Sequence, residues 1–296
     1  MGTNVALGTD AAADEAGAQL ARLIAAQEAE FFSRQTRSAE MHERAVEHLA
    51  GGATSNWMIS RPATIWVSHG KGSRIFDVDG HDYVDLHAGY GAMAVGHAHP
   101  AIVKAVSERV ALGTHFAQPT DDAIVVANEL AGRFGLPLWR FTNSGTEATM
   151  DAIHLMRAIT GRDRIIKIEG SYHGHHDSVM ISAFVDLDVI GSVEQPASVP
   201  ATGGLPKAIT DLCVIVPFNN LGALEKVLDR YEGEIAGMIV EPLMMNAGII
   251  PPEPGYLEGV RRLTREHGVL LAYDEVKTGH TVGPGGATVR PVFTSS

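Results

Sequence analysis

From about Ala101 to Tyr273 the chain alternates short apolar runs with amphipathic ones, and that alternation restricts the fold more than any other property of its 296 residues. Helices are expected at 101–111, 121–134, 146–159, 220–231 and 255–267, where apolar residues recur at three- and four-residue spacing. Between them the runs 138–142, 164–168, 212–216, 236–241 and 269–273 are short, rich in aliphatic residues, and read as strands. Strand and helix in alternation predict an α/β domain whose mostly parallel sheet is covered on both faces. Upstream, TIWVS, RIFDV and DYVDL, punctuated by HGKG and DVDG, predict a small antiparallel meander, and residues from about Gln19 to Leu49 predict helix ending at Gly51-Gly52. Residues 1 to about 18, rich in Ala, Gly, Thr and Asp, are expected to be disordered, and Phe184 to Thr210 to form a long loop.

Three polar clusters stand at the ends of predicted strands. FTNSGTEA, Phe141 to Ala148, leads from a strand straight onto a helix. Helix starts leave backbone N–H groups unsatisfied and carry the positive end of the dipole, so Ser144, Gly145 and Thr146 can offer amides and two hydroxyls to a phosphate. An ordinary capped helix, with Ser144 or Thr146 at the cap, explains the same residues. GSYHGHHD at 170–177 follows RIIKIE, and YDEVKTG at 273–279 follows GVLLA. Carboxyl ends of parallel strands are where open α/β sheets bind ligands.

The net charge of −12 argues against nucleic acid or an anionic membrane surface as a partner. No run approaches the roughly 20 apolar residues of a membrane span. One cysteine, Cys213 in LCVIVP, reads as a core residue, and a reducing cytoplasmic location is expected.

Through GGATSN, FDVDGHDYVDL, GHAHP, NSGTEA, SYHGHHD, EIAGMIVEP, IIPPEPGYLEGVRRLTREHGVLLAYDEV and GPGGAT, residues 40 to 288 resemble the class III (subgroup II) pyridoxal-phosphate aminotransferases, most closely the branch with glutamate-1-semialdehyde aminomutase. The resemblance implies a fold-type I α/β large domain, pyridoxal 5'-phosphate as cofactor, an amino acid or amine and a keto acid as substrates, and a homodimer in the full-length family. It divides the chain into an N-terminal extension at 1–38, disordered or helical, a helix and β-meander segment at 39–100, an incomplete cofactor-binding domain at 101–288, and a tail at 289–296 outside the family pattern.

Carried onto this sequence, the resemblance implies that Ser144, Gly145 and Thr146 cradle the phosphate, Asp274 faces the ring nitrogen, Tyr172 and Val276 flank the ring, Asn246 lies near the ring hydroxyl, and His173 and Glu241 support the site. Asp274 also reads as a turn residue after a strand, and Glu241 as a strand-end carboxylate facing solvent. No metal is expected: His173, His175, His176 and Asp177 are nearly consecutive and should point apart, and His97 and His99 read as a structural turn. Within the gate-like loop of the aminomutase branch falls the segment from Phe184 to Thr210.

Two departures qualify the resemblance. None of Lys71, Lys104, Lys167, Lys207, Lys226 and Lys277 lies in the sequence context of the family's Schiff-base lysine. Lys277, three residues after Asp274 in the same turn, is not expected to reach the cofactor aldehyde, and a truncated or frameshifted reading frame is the expectation. Where the aminomutase has a carboxylate-binding arginine, this chain has Met58, with Arg61 three residues on. Three functions follow as expectations: an aminotransferase, an aminomutase, or a non-catalytic remnant that holds cofactor only through phosphate and ring contacts.

Overall fold

The computed structural model describes residues 9–184, 186 and 188–289, and divides into two compact units between Phe116 and Ala117. In the first unit, helix α1 (Thr9–Arg34) is followed by α2 (Thr36–Ala45) and a three-stranded antiparallel sheet, β1 (Val67–Lys71), β2 (Arg74–Asp77) and β3 (Asp82–Val84). Residues 9–18 are thus helical where disorder was expected, since the Ala-rich sequence has high intrinsic helix preference; residues 1–8 and 290–296 lie outside the described residues. Helix α3 (Pro100–Val110) closes this unit, started by Pro100 in its first turn and by His99, whose ring Nδ1 accepts from the Ala101 amide at 3.3 Å. His97 packs its ring nitrogen against Asp85, 2.7 Å away, so the GHAHP turn is a structural one.

The second unit is built on a four-stranded parallel sheet in the order β5 (Cys213–Val216), β4 (Arg164–Ile168), β6 (Ile235–Val240), β7 (Leu270–Tyr273). Helices α4 (Asp121–Phe134) and α5 (Gly145–Thr160) precede it, and α7 (Leu221–Arg230) and α8 (Tyr256–Glu266) provide the crossovers. Side chains alternate along each strand, so each face gathers its own core. On one face Ile166, Ile168, Val216, Met238 and Val240 meet Leu224 and Leu228 of α7 and Tyr256, Val260 and Leu263 of α8. On the other, Ile165, Cys213 and Ile215 meet Ile153 of α5 with Val179 and Ile181. Each fully buried aliphatic side chain contributes about 1.5–3 kcal/mol. Gly237 lets α5 lie against β6: a Cβ there would stand 2.2 Å from the Met156 sulfur.

One predicted strand does not form. Leu138–Thr142 is irregular, with Leu138 88% and Phe141 51% exposed, because among the described residues no strand lies along it to take its backbone groups. Among its described residues the segment expected to be a long loop is irregular up to a short helical turn, α6 (Lys207–Thr210), and is tied at its middle, where Ser182 exchanges hydrogen bonds with Ala197 and Val199.

Candidate active site

The site assembles at the carboxyl end of the parallel sheet, from the start of α5 and the turns after β4, β6 and β7. Ser144 caps α5 with extended backbone, its Oγ accepting from the Glu147 amide at 3.2 Å, while Glu147 reaches back to the Asn143 amide at 2.6 Å. The Gly145 and Thr146 amides have no acceptor within the helix. Thr146 Oγ1 already accepts from the His175 amide, 3.1 Å. Both hydroxyls are therefore used as acceptors, which leaves their protons to be donated to an anion at the helix start.

Two contacts bring the other turns to this point. Gly174 has φ +106°, and a Cβ on it would stand 2.8 Å from the Thr146 Cα, so the turn after β4 lies directly on the first turn of α5. A Cβ on Gly145 would lie 3.1 Å from a Val276 methyl, so the turn after β7 lies on its other side. Thr149, one helical turn on, donates from Oγ1 to the His173 carbonyl at 2.5 Å and lies 3.3 Å from His176 Nε2.

Asp274 and His173 form the electrostatic centre. His173 Nδ1 is 2.8 Å from Asp274 Oδ2, with the His173 side chain fully buried and that of Asp274 nearly so. The other oxygen of Asp274 takes the Val276 amide at 3.1 Å, so the carboxylate has lone pairs left for a further donor. His173 Nε2 is buried with no hydrogen-bond partner. His175 is exposed and His176 turns toward Thr149, so the histidines diverge. No group of three or more metal-ligating side chains forms among the described residues.

Glu241 is buried rather than facing solvent, because it serves as a collection point for donors from two turns. Its Oε1 accepts from the Tyr172 amide at 3.1 Å, and Oε2 from the Met245 amide at 3.0 Å and the Asn246 side chain at 3.3 Å. Tyr172 stands half-buried, its ring 5.8 Å from that of Phe184. Val276 is 67% exposed. All nine residues singled out in the sequence thus lie in this cluster. Met58 and Arg61 belong to the first unit.

Three further residues make contacts that the sequence did not reveal. Thr149 ties α5 to the His173 carbonyl. Lys167, fully buried, sends Nζ to the carbonyls of Ile181 at 2.7 Å, Ser171 at 2.9 Å and Ile168 at 3.4 Å, which clamps the chain just before Tyr172; burial pushes its pKa down to about 8. A lysine among the buried isoleucines of β4 was the signal for it. Lys277, set aside for its place in the turn, points inward and donates to Asn246 Oδ1 at 2.6 Å.

Residues 58–288 match the family described as Aminotransferase class-III. A glutamate-1-semialdehyde 2,1-aminomutase from Methanosphaera stadtmanae is 42% identical over 252 residues, which cover 85% of this chain and 57% of that relative. An omega-transaminase structure from Sphaerobacter thermophilus superposes with a TM-score of 0.81 at 38% identity, covering 85% of this chain and 57% of that one. A structure titled as a transaminase with PLP bound gives 0.78 at 33%, covering 86% and 58%. The chain spans somewhat over half the length of the proteins it matches, and its fold is that of the fold-type I transaminases. A family match over most of the chain, joined to an α/β sheet whose strand ends carry the matching motifs in one cluster, establishes that this chain belongs to the class III aminotransferases.

Proposed function

We propose that the cluster holds pyridoxal 5'-phosphate and serves amino-group transfer between an amino acid or amine and a keto acid. The observation that carries this reading is the buried His173–Asp274 pair beside the open start of α5: a fixed carboxylate and an anion cradle in one cleft. When bound, the cofactor supplies an aldehyde and a protonated ring that absorbs negative charge.

The residues present fit such a group. The Gly145 and Thr146 amides and the Ser144 and Thr146 hydroxyls would hold the phosphate, and a side chain at Gly145 would press on Val276 and narrow the cradle. Asp274 keeps lone pairs for a ring N–H, and His173 fixes the orientation of its carboxylate by donating from Nδ1. Tyr172 and Val276 flank the space between, and Glu241 holds the Tyr172 backbone and Asn246 in register. Thr149 and Lys167 fix the two ends of the turn that carries Tyr172 and His173.

Spectroscopic titration with pyridoxal phosphate tests the reading. Asp274→Ala should weaken binding about tenfold to a hundredfold, the 1.5–3 kcal/mol of a charge-assisted hydrogen bond. Equal affinity in the two proteins contradicts it.

A second reading, amino transfer within one substrate, is favoured by the name of the 42% identical relative and opposed by Met58 in place of the arginine that the family resemblance expects. Product analysis with glutamate-1-semialdehyde separates the two. A chain that binds cofactor and turns over neither substrate class is the non-catalytic remnant. The family reading also carries a homodimer and a cytoplasmic location; exposed apolar residues on α3 and α4, among them Val103, Val106, Ile124 and Val125, and the single buried Cys213 support these. Among the described residues no helix is long and apolar enough to cross a membrane.

A further inference from the structure

Lys277 has no part in the phosphate cradle, the ring carboxylate or the clamp on the Tyr172 turn, yet its side chain reaches Asn246 in the same cluster. Its Nζ donates to Asn246 Oδ1 at 2.6 Å, and the Asn246 amide donates to Glu241 Oε2 at 3.3 Å. Because Glu241 Oε1 takes the Tyr172 amide at 3.1 Å, this primary amine is linked to the Tyr172 backbone through only two side chains. The same turn carries Asp274, paired with His173, and Val276, packed on Gly145. Lys277 therefore sits on the short segment that already touches every other part of the cleft.

The remaining five lysines are placed differently. Lys167 Nζ is buried and taken up by three backbone carbonyls. Lys104 and Lys207 are exposed and each pairs with a carboxylate one helical turn on. Lys71 and Lys226 are exposed. Lys277 differs from both kinds: it is half-buried, and its acceptor is a neutral amide oxygen. Forming a bond at Nζ therefore gives up a hydrogen bond to a neutral group rather than an ion pair.

Resting on the reading above, we infer that Lys277 is the amine of this chain that condenses with the aldehyde of pyridoxal phosphate in the cleft. The Nζ lone pair forms the new C–N bond, the carbonyl C–O bond breaks, and the oxygen leaves as water with both protons of the neutral amine. The step consumes no oxidant or reductant.

Borohydride reduction of the 296-residue chain incubated with pyridoxal phosphate, followed by peptide mapping, tests this directly. The expected result is a dominant, near-stoichiometric adduct at Lys277, lost in both K277M and K277Q. Binding of pyridoxine 5'-phosphate, which keeps the ring and phosphate but has no aldehyde, is measured in parallel by calorimetry. Both variants should retain it. Labelling scattered over exposed lysines, or unchanged labelling in K277M, together with retained pyridoxine phosphate binding, overturns the role of Lys277 and leaves the cofactor reading standing. Failure of the unsubstituted chain to bind either compound removes the cofactor reading and the inference with it.

Discussion

The parallel sheet and the stretch from α3 to Thr142 both carry many apolar residues and have opposite fates. Every residue of β6 is buried, and α7 and α8 press Leu224, Leu228, Val260 and Leu263 onto the sheet. In contrast α3 and α4 bury no residue fully, and the apolar run 138–142 stays irregular with Leu138 facing solvent. Local sequence makes a helix in both regions; only packing makes a rigid one. The turns carrying Tyr172, His173, Glu241 and Asp274 all spring from the packed sheet, so the part of the molecule that must hold atoms in place is the part with a complete core.

Substituting one residue from each region gives the largest expected contrast. Met238→Ala, at a fully buried position of β6, should cost about 2–5 kcal/mol in denaturant unfolding, whereas Val125→Ala, 68% exposed on α4, should stay within about 0.5 kcal/mol. Similar values would show that α4 is packed in solution.

Glycine substitutions sharpen the comparison through the backbone. Gly174→Ala forces a side chain onto φ +106° and against the Thr146 backbone, and should cost about 1–3 kcal/mol along with cofactor affinity. Gly132→Ala lies within α4 with nothing near the added Cβ, and should stabilise by about 0.5–1 kcal/mol. Thermal melts of the two proteins should therefore move in opposite directions.

A smaller effect comes from His176, whose pKa is pushed from 6.5 down to about 4, chiefly by burial and then by the neighbouring His154. A depressed histidine keeps its neutral form in the fold while the unfolded chain takes up a proton. Its contribution is complete above pH 6.5 and is lost as pH falls toward 4. His176→Asn should flatten the stability profile in that window; an unchanged slope would place the titration elsewhere.

Much of this was legible because it is written locally. Asp121–Phe134 was read with its observed bounds, since Thr120, Asp121 and Asp122 mark its start and Gly135 its end. Strands β4 to β7 followed from short aliphatic runs. The start of α5 was legible to within a residue, with Ser144 or Thr146 read as its cap and Ser144 found there. What escaped depends on neighbours distant in sequence. Leu138–Thr142 has strand composition, but a strand exists only beside another. The burial of Glu241 follows from donors at Tyr172 and Met245 that its position at a strand end does not reveal. The contact of Lys277 with Asn246 was likewise hidden, because spacing from Asp274 fixes where its Cα lies and not which way its side chain turns after the bend.

The central claim is that the start of α5 and the turns after β4, β6 and β7 form one cofactor cleft. A crystal structure of the chain with pyridoxal phosphate tests it most directly. The account predicts phosphate oxygens within hydrogen-bonding distance of the Gly145 and Thr146 amides and the ring nitrogen on Asp274, beside the retained His173 contact. Cofactor bound elsewhere, or phosphate at the α5 start with the ring turned away from Asp274, would contradict it.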